Sequence, residues 1–116
     1  MKALGLALIL ALVIPTALAA GKNYKFELDM EGIVGAKNLR SGTYRVEVKC
    51  AEDGKGTVSF YDGYRLAAQV PCNMVEQNDA ADTYGVSYAT NAQGKRVVSS
   101  IFLKGSKEKI VISSGN

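Results

Sequence analysis

The chain has 116 residues, 14 Lys and Arg against 11 Asp and Glu, a formal net charge of +3, and neither histidine nor tryptophan. Without an imidazole, Ser-His-Asp and Cys-His nucleophile activation and His-ligated zinc are excluded, and without tryptophan the best stacking platform for sugars and cations is missing. A small charge with both signs interspersed gives no electrostatic footprint for nucleic acid or an anionic membrane surface.

Residues 1–19 read as a signal peptide. Met1-Lys2 is a short basic start, and Ala3 to Ile14 is apolar apart from Gly5. Pro15-Thr16 breaks the run, and Ala17-Leu18-Ala19 supplies a small-x-small cleavage pattern. Cleavage is expected after Ala19 or Ala20. A membrane anchor is the rival reading, because the uncharged run from Ala3 to Gly21 is 19 residues long. Its strongly apolar part stops at Ile14, however, and an anchor would continue with large aliphatic residues. The expected product, residues 20–116, is a single β domain. It would be exported to the periplasm or the extracellular medium, with no stable membrane insertion once the leader is removed.

From Asn23 onward apolar and polar residues alternate with the period of a strand. Tyr24, Phe26, Leu28 and Met30 share one face of a first strand, opposite Lys25, Glu27, Asp29 and Glu31. Tyr44, Val46, Val48 and Cys50 mark a second strand, and Val58 and Phe60 a third. Leu66, Ala68, Val70 and Cys72 mark a fourth, and Tyr84, Val86 and Tyr88 a fifth. Val97, Ser99, Ile101 and Leu103 mark a sixth, and Ile110 and Ile112 a seventh. Asp62-Gly63 is a two-residue hairpin signal, because both residues tolerate positive φ. Glu52 to Gly56, Asn91 to Gly94 and Gly105 to Lys107 supply further turns, while Gly32 to Gly42 and Asn73 to Ala81 are longer connections. Seven short strands with one wet face each predict an all-β antiparallel sandwich, with a small closed barrel as the alternative. Pro71 cannot donate to a ladder, which places it at a sheet edge or a strand end.

Cys50 and Cys72 both fall on the inward parity of their strands. In an exported chain with two cysteines they are expected to form one disulfide. Closing a loop of about 23 residues is worth roughly 3 kcal/mol in the chain-entropy model. They lack the C-x-x-C spacing of a redox pair.

Candidate binding residues are few. Tyr61, Tyr64 and Arg65 surround a hairpin tip, and Tyr and Arg bring large contact area with a polar handle, so they are the candidate partner-binding residues. The bland reading is a cross-strand tyrosine pair. Glu76, Asp79 and Asp82 lie in an acidic segment whose hard oxygens suit calcium, although no EF-type spacing is present. No other metal site and no cofactor is expected. Asp29, Glu31 and Glu47 form no recognisable acid–base constellation, so no catalytic residue is assigned and the chain is not expected to be an enzyme. Lys104, Lys107 and Lys109 cluster at the last hairpin, with Lys95 and Arg96 on the preceding strand, and are read as edge cations that block strand addition. Ala67, Ala68, Gly85 and Ala89 are small enough to leave room for an internal cavity.

The stretch Leu39-Arg40-Ser41-Gly42-Thr43-Tyr44-Arg45-Val46-Glu47-Val48 resembles the L-x-x-G-x-Y-x-V-x-V signature of a group of small exported bacterial β-sandwich proteins. The Val34-Gly35 turn and a closing hairpin, Ile101 to Gly105 and Ile110 to Ile112, extend the resemblance. It implies a sandwich fold and export, and carries no activity, ligand or site residue. The expected function is therefore a non-catalytic exported protein that binds a macromolecular partner, a protein or an envelope polymer. A carrier of a small apolar ligand and a secreted enzyme inhibitor are the alternatives.

Overall fold

Turn glycines and period-two alternation divide the chain into nine strands in a computed structural model that describes residues 21–113. The expected leader and its cleavage after Ala19 or Ala20 lie outside the described residues. The strands are β1 (Lys22–Leu28), β2 (Gly32–Val34), β3 (Lys37–Leu39), β4 (Gly42–Cys50), β5 (Lys55–Asp62), β6 (Arg65–Glu76), β7 (Gly85–Thr90), β8 (Arg96–Phe102) and β9 (Glu108–Ile112). Among the described residues there is no helix, so the fold is all-β.

All nine strands belong to one sheet, in the order β1-β4-β5-β6-β9-β8-β2-β3, with β7 paired to β8. The sheet is mixed: Ile33 of β2 pairs in parallel with Val97 of β8, and the other ladders are antiparallel. This differs from the purely antiparallel arrangement the sequence predicts, and the sheet does not close into a barrel. Strand β6 ties the strands into one sheet. It pairs with β5 along Arg65 to Asn73 and with β9 along Cys72 to Glu76, so one twelve-residue strand joins the two halves. Pro71 stands where the β9 ladder ends, and its carbonyl accepts a bond from the Ser113 amide at 3.0 Å. It marks the end of a ladder inside the sheet rather than a sheet edge.

The two halves curl over a single core, in which Val46, Val58, Phe60, Ile101 and Ile110 are each 0% exposed. Removing a side chain of this kind costs about 2–5 kcal/mol, transfer and cavity terms together. Two bulges re-aim side chains that simple alternation misplaces. In the β5–β6 ladder, Phe60 pairs with Ala68 and Tyr61 with Leu66, leaving Ala67 as the extra residue. Leu66 is thereby turned out of the core and is 49% exposed. In the β7–β8 ladder, Ser87 pairs with Ser100 and Tyr88 with Val98, leaving Ser99 extra. Val98 rather than Val97 then reaches the core, and the Ser99 hydroxyl donates to the Ser87 carbonyl at 3.1 Å.

The segment Gly32 to Gly42, expected as a plain connection, contains the short hairpin β2–β3. Its turn residue Gly35 takes φ 64°, and a Cβ placed there would meet Val70 at 3.6 Å, so the hairpin lies across the face of β6.

Candidate functional site

The open end of the curled sheet holds a cavity of about 500 Å³. Lys22 and Tyr24 at the start of β1 form one side, and Val48 and Cys50 at the end of β4 form the next. Met74 of β6, Tyr84 ahead of β7, and the β8–β9 turn from Leu103 to Ser106 complete it, with Glu108 at the rim. The turn is held by the chain that follows β6. The Gln77 amide donates to the Lys107 carbonyl at 2.8 Å, the Ala81 amide to the Ser106 carbonyl at 3.1 Å, and the Gly105 amide to the Ala81 carbonyl at 2.8 Å.

No ladder joins β1 to β7 among the described residues, and aromatic rings stand in its place. The Phe26 and Tyr84 rings meet edge to face at 5.9 Å and 86°, and the Tyr24 and Tyr84 rings lie 6.0 Å apart. Such pairs add about 0.5–1.5 kcal/mol each beyond their buried area. Burial, and then the neighbouring Tyr84, push the Tyr24 phenol above its ordinary pKa, so it stays neutral at physiological pH. The Tyr24 side chain lines the cavity.

Cys50 borders the cavity, and its Sγ lies 4.0 Å from that of Cys72. The two are thiols in this structure, close but short of the disulfide expected from the sequence. Burial, and then Cys50, push the Cys72 thiol up to about 12. A thiol so disinclined to ionise is a poor nucleophile.

The candidate partner-binding and calcium residues lie away from this cavity. Tyr61 sits half-buried beneath the Arg45 guanidinium, whose carbon is 4.1 Å from the ring centre, and it pairs across the sheet with Leu66 rather than with Tyr64. The hairpin turn falls one residue later than expected. Asp62 pairs with Arg65, Gly63 takes φ 65°, and Tyr64 becomes a turn residue that is completely exposed. Glu76 ends β6 while Asp79 and Asp82 follow it in exposed positions. Among the described residues no group of three or more acidic or cysteine side chains is gathered closely enough to hold a metal. Lys109 is not an edge lysine, because β9 lies between β6 and β8; its ammonium stands 6.0 Å from the centre of the Phe102 ring. Of the four small residues expected to leave a cavity, none lines the one observed, and Ala68 is packed in the core.

The cavity itself was not legible in advance. Its walls come from five separate stretches; Tyr24, Val48, Cys50, Tyr84 and Leu103 each lie on an apolar parity the sequence displays, but no local pattern brings those strands together. A smaller cleft of about 280 Å³ lies at the other end, between Glu31, Ile33, Asn38, Lys95 and Arg96. Its groups already serve one another: the Arg96 guanidinium donates to the Glu31 carbonyl at 3.1 Å, and the Asn38 amide to the Glu31 carboxylate.

Among the described residues no helix is long and apolar enough to cross a membrane. The chain matches no protein-family model, no curated protein and no solved structure.

Proposed function

We propose that the protein is a non-catalytic exported binding protein that takes a small apolar or amphipathic ligand at the open end of its sheet. The observation that carries this reading is the cavity of about 500 Å³ walled by Tyr24, Val48, Met74, Tyr84 and Leu103. Ligand sites have volumes of roughly 300–1,000 Å³ and mostly apolar linings with a few polar groups. Export rests on the basic start, short apolar run and small-x-small pattern of residues 1–19. In an oxidising compartment Cys50 and Cys72 would join, tying the end of β4 beside the cavity to β6.

The test is titration of the folded protein with Nile red, a neutral apolar dye. Saturable binding that weakens when Tyr84, already 49% exposed, is changed to alanine supports the reading. Binding no stronger than to an unrelated β protein overturns it.

A second reading, docking of a protein or envelope polymer, draws on the hairpin tip, where fully exposed Tyr64 neighbours Arg65 and exposed Leu66. Clustered exposed aromatic and arginine side chains are the kind that carry interface energy. Tyr64→Ala should weaken capture of such a partner while leaving dye binding unchanged. Capture at undiminished strength would remove the tip from consideration.

A further inference from the structure

We infer that the ligand of the open-end cavity is an unbranched amphiphile with one negative charge, of the medium-chain carboxylate type. This rests on the cavity being a ligand site, and it adds the chemistry of the occupant. Three charged side chains border the cavity, Lys22, Lys104 and Glu108, all on exposed positions. One ammonium is offset by the carboxylate, and the other is left over. A mouth with one surplus positive charge complements a monoanion and disfavours a cation. The neutral Tyr24 phenol adds an uncharged donor.

The walls select the tail. Met74 and Leu103 offer flexible and branched aliphatic surface, and the thioether of a methionine adapts to an irregular occupant. Tyr24 and Tyr84 stand 6.0 Å apart with their planes inclined at 44°, so they line the cavity as a bent wall and offer no parallel slot for a flat ring. A flexible chain can follow such a wall. At about 500 Å³ the cavity lies in the lower half of the usual ligand range, which suits one chain rather than two. Because the end of the sheet is open, a charged head can remain in water beside Lys22 and Lys104 while the chain enters.

The experiment uses the full exported protein, titrated at low ionic strength with dodecanoate, dodecanol and dodecylammonium below their self-association limits. Dodecanoate should bind about fivefold more tightly than dodecanol, the size expected of a solvent-facing ion pair at the favourable end of its range. Salt should erode that margin. Lys22→Gln combined with Lys104→Gln should abolish that margin, bringing dodecanoate and dodecanol to equal affinity. Shortening the chain from dodecanoate to decanoate should weaken binding about tenfold, as expected for two buried methylenes. If dodecanol binds as tightly as dodecanoate, or dodecylammonium binds best, the headgroup inference is overturned while the cavity reading stands. If none of the three binds, and Nile red does not bind either, both are overturned.

Discussion

The sulfurs of Cys50 and Cys72 approach to 4.0 Å across Gly56, the residue that pairs with both of them. The cysteines stand on β4 and β6, two strands apart, where side chains on a flat sheet would be too distant to touch. Gly56 on the strand between has no side chain to separate them. A Cβ at Gly56 would overlap the Lys49 carbonyl oxygen and lie 2.7 Å from the Cys50 Cα. Gly56→Ala is therefore expected to destabilise the reduced protein by about 1–3 kcal/mol, the usual range for forced overpacking. Urea unfolding under reductant measures this, and an unchanged midpoint would disprove the close approach.

Oxidation by a protein disulfide should remove two hydrogens and join Cys50 to Cys72. The gain in stability is expected to be roughly 3 kcal/mol from the closed loop alone. Intact mass, read beside denaturant midpoints with and without reductant, tests the bond. Failure to lose the two hydrogens to a strongly oxidising disulfide, which is itself reduced to the dithiol, would sink it.

A pH dependence follows from the buried thiol. Cys72 keeps its proton in the folded chain until about pH 12, whereas in the unfolded chain it releases it near the ordinary thiol value of 9. The folded state thus binds more protons across that interval, and stability must fall as pH rises through it. Tyr24 and Tyr44, also raised mainly by burial, act in the same direction at the alkaline end. The oxidised protein has no Cys72 proton to lose, so its advantage over the reduced form should widen between pH 9 and 11. Parallel unfolding series on the two forms would show a constant difference if the thiol is not protected.

The bulge at Ala67 predicts an asymmetry that alternation alone would reverse. Leu66→Ala is expected to change stability by no more than about 0.5 kcal/mol, as for other surface positions. Ile110→Ala, at a fully buried site, should cost about 2–5 kcal/mol. Comparable losses at the two sites would place Leu66 back in the core.

Most of the strands could be read directly, because Phe26, Leu28, Tyr44, Val46, Val48, Val58 and Phe60 follow a strict two-residue period and are all buried. Two kinds of information were hidden. Alternation cannot announce a bulge, so it places Leu66 and Val97 on the wrong face. A strand of three residues is too short to show a period, so β2 and β3 passed for a connection. The long reach of β6 into the segment after Cys72 was masked for a different reason. Asn73, Met74 and Val75 do not alternate cleanly, and their pairing with β9 is decided by long-range geometry. The cavity belongs to that same class, since no local pattern brings Lys22 next to Leu103.

The parallel contact between Ile33 and Val97 also bears on the time course of folding. The meander β4–β5–β6 is joined by tight turns and can form from local encounters, but β2 has no ladder with it. Gly32 instead rests close to Val98 and Tyr88, from the far third of the chain. Contacts so distant in sequence form slowly, because a long loop must close before they repay it. The β2–β3 hairpin is thus expected to dock last, and until it does Val70 and Val98 stay uncovered. Refolding followed by hydrogen exchange should protect the Val46 and Val58 amides before that of Ile33, making the N-terminal hairpin the latch that retires the molecule's last sticky surface.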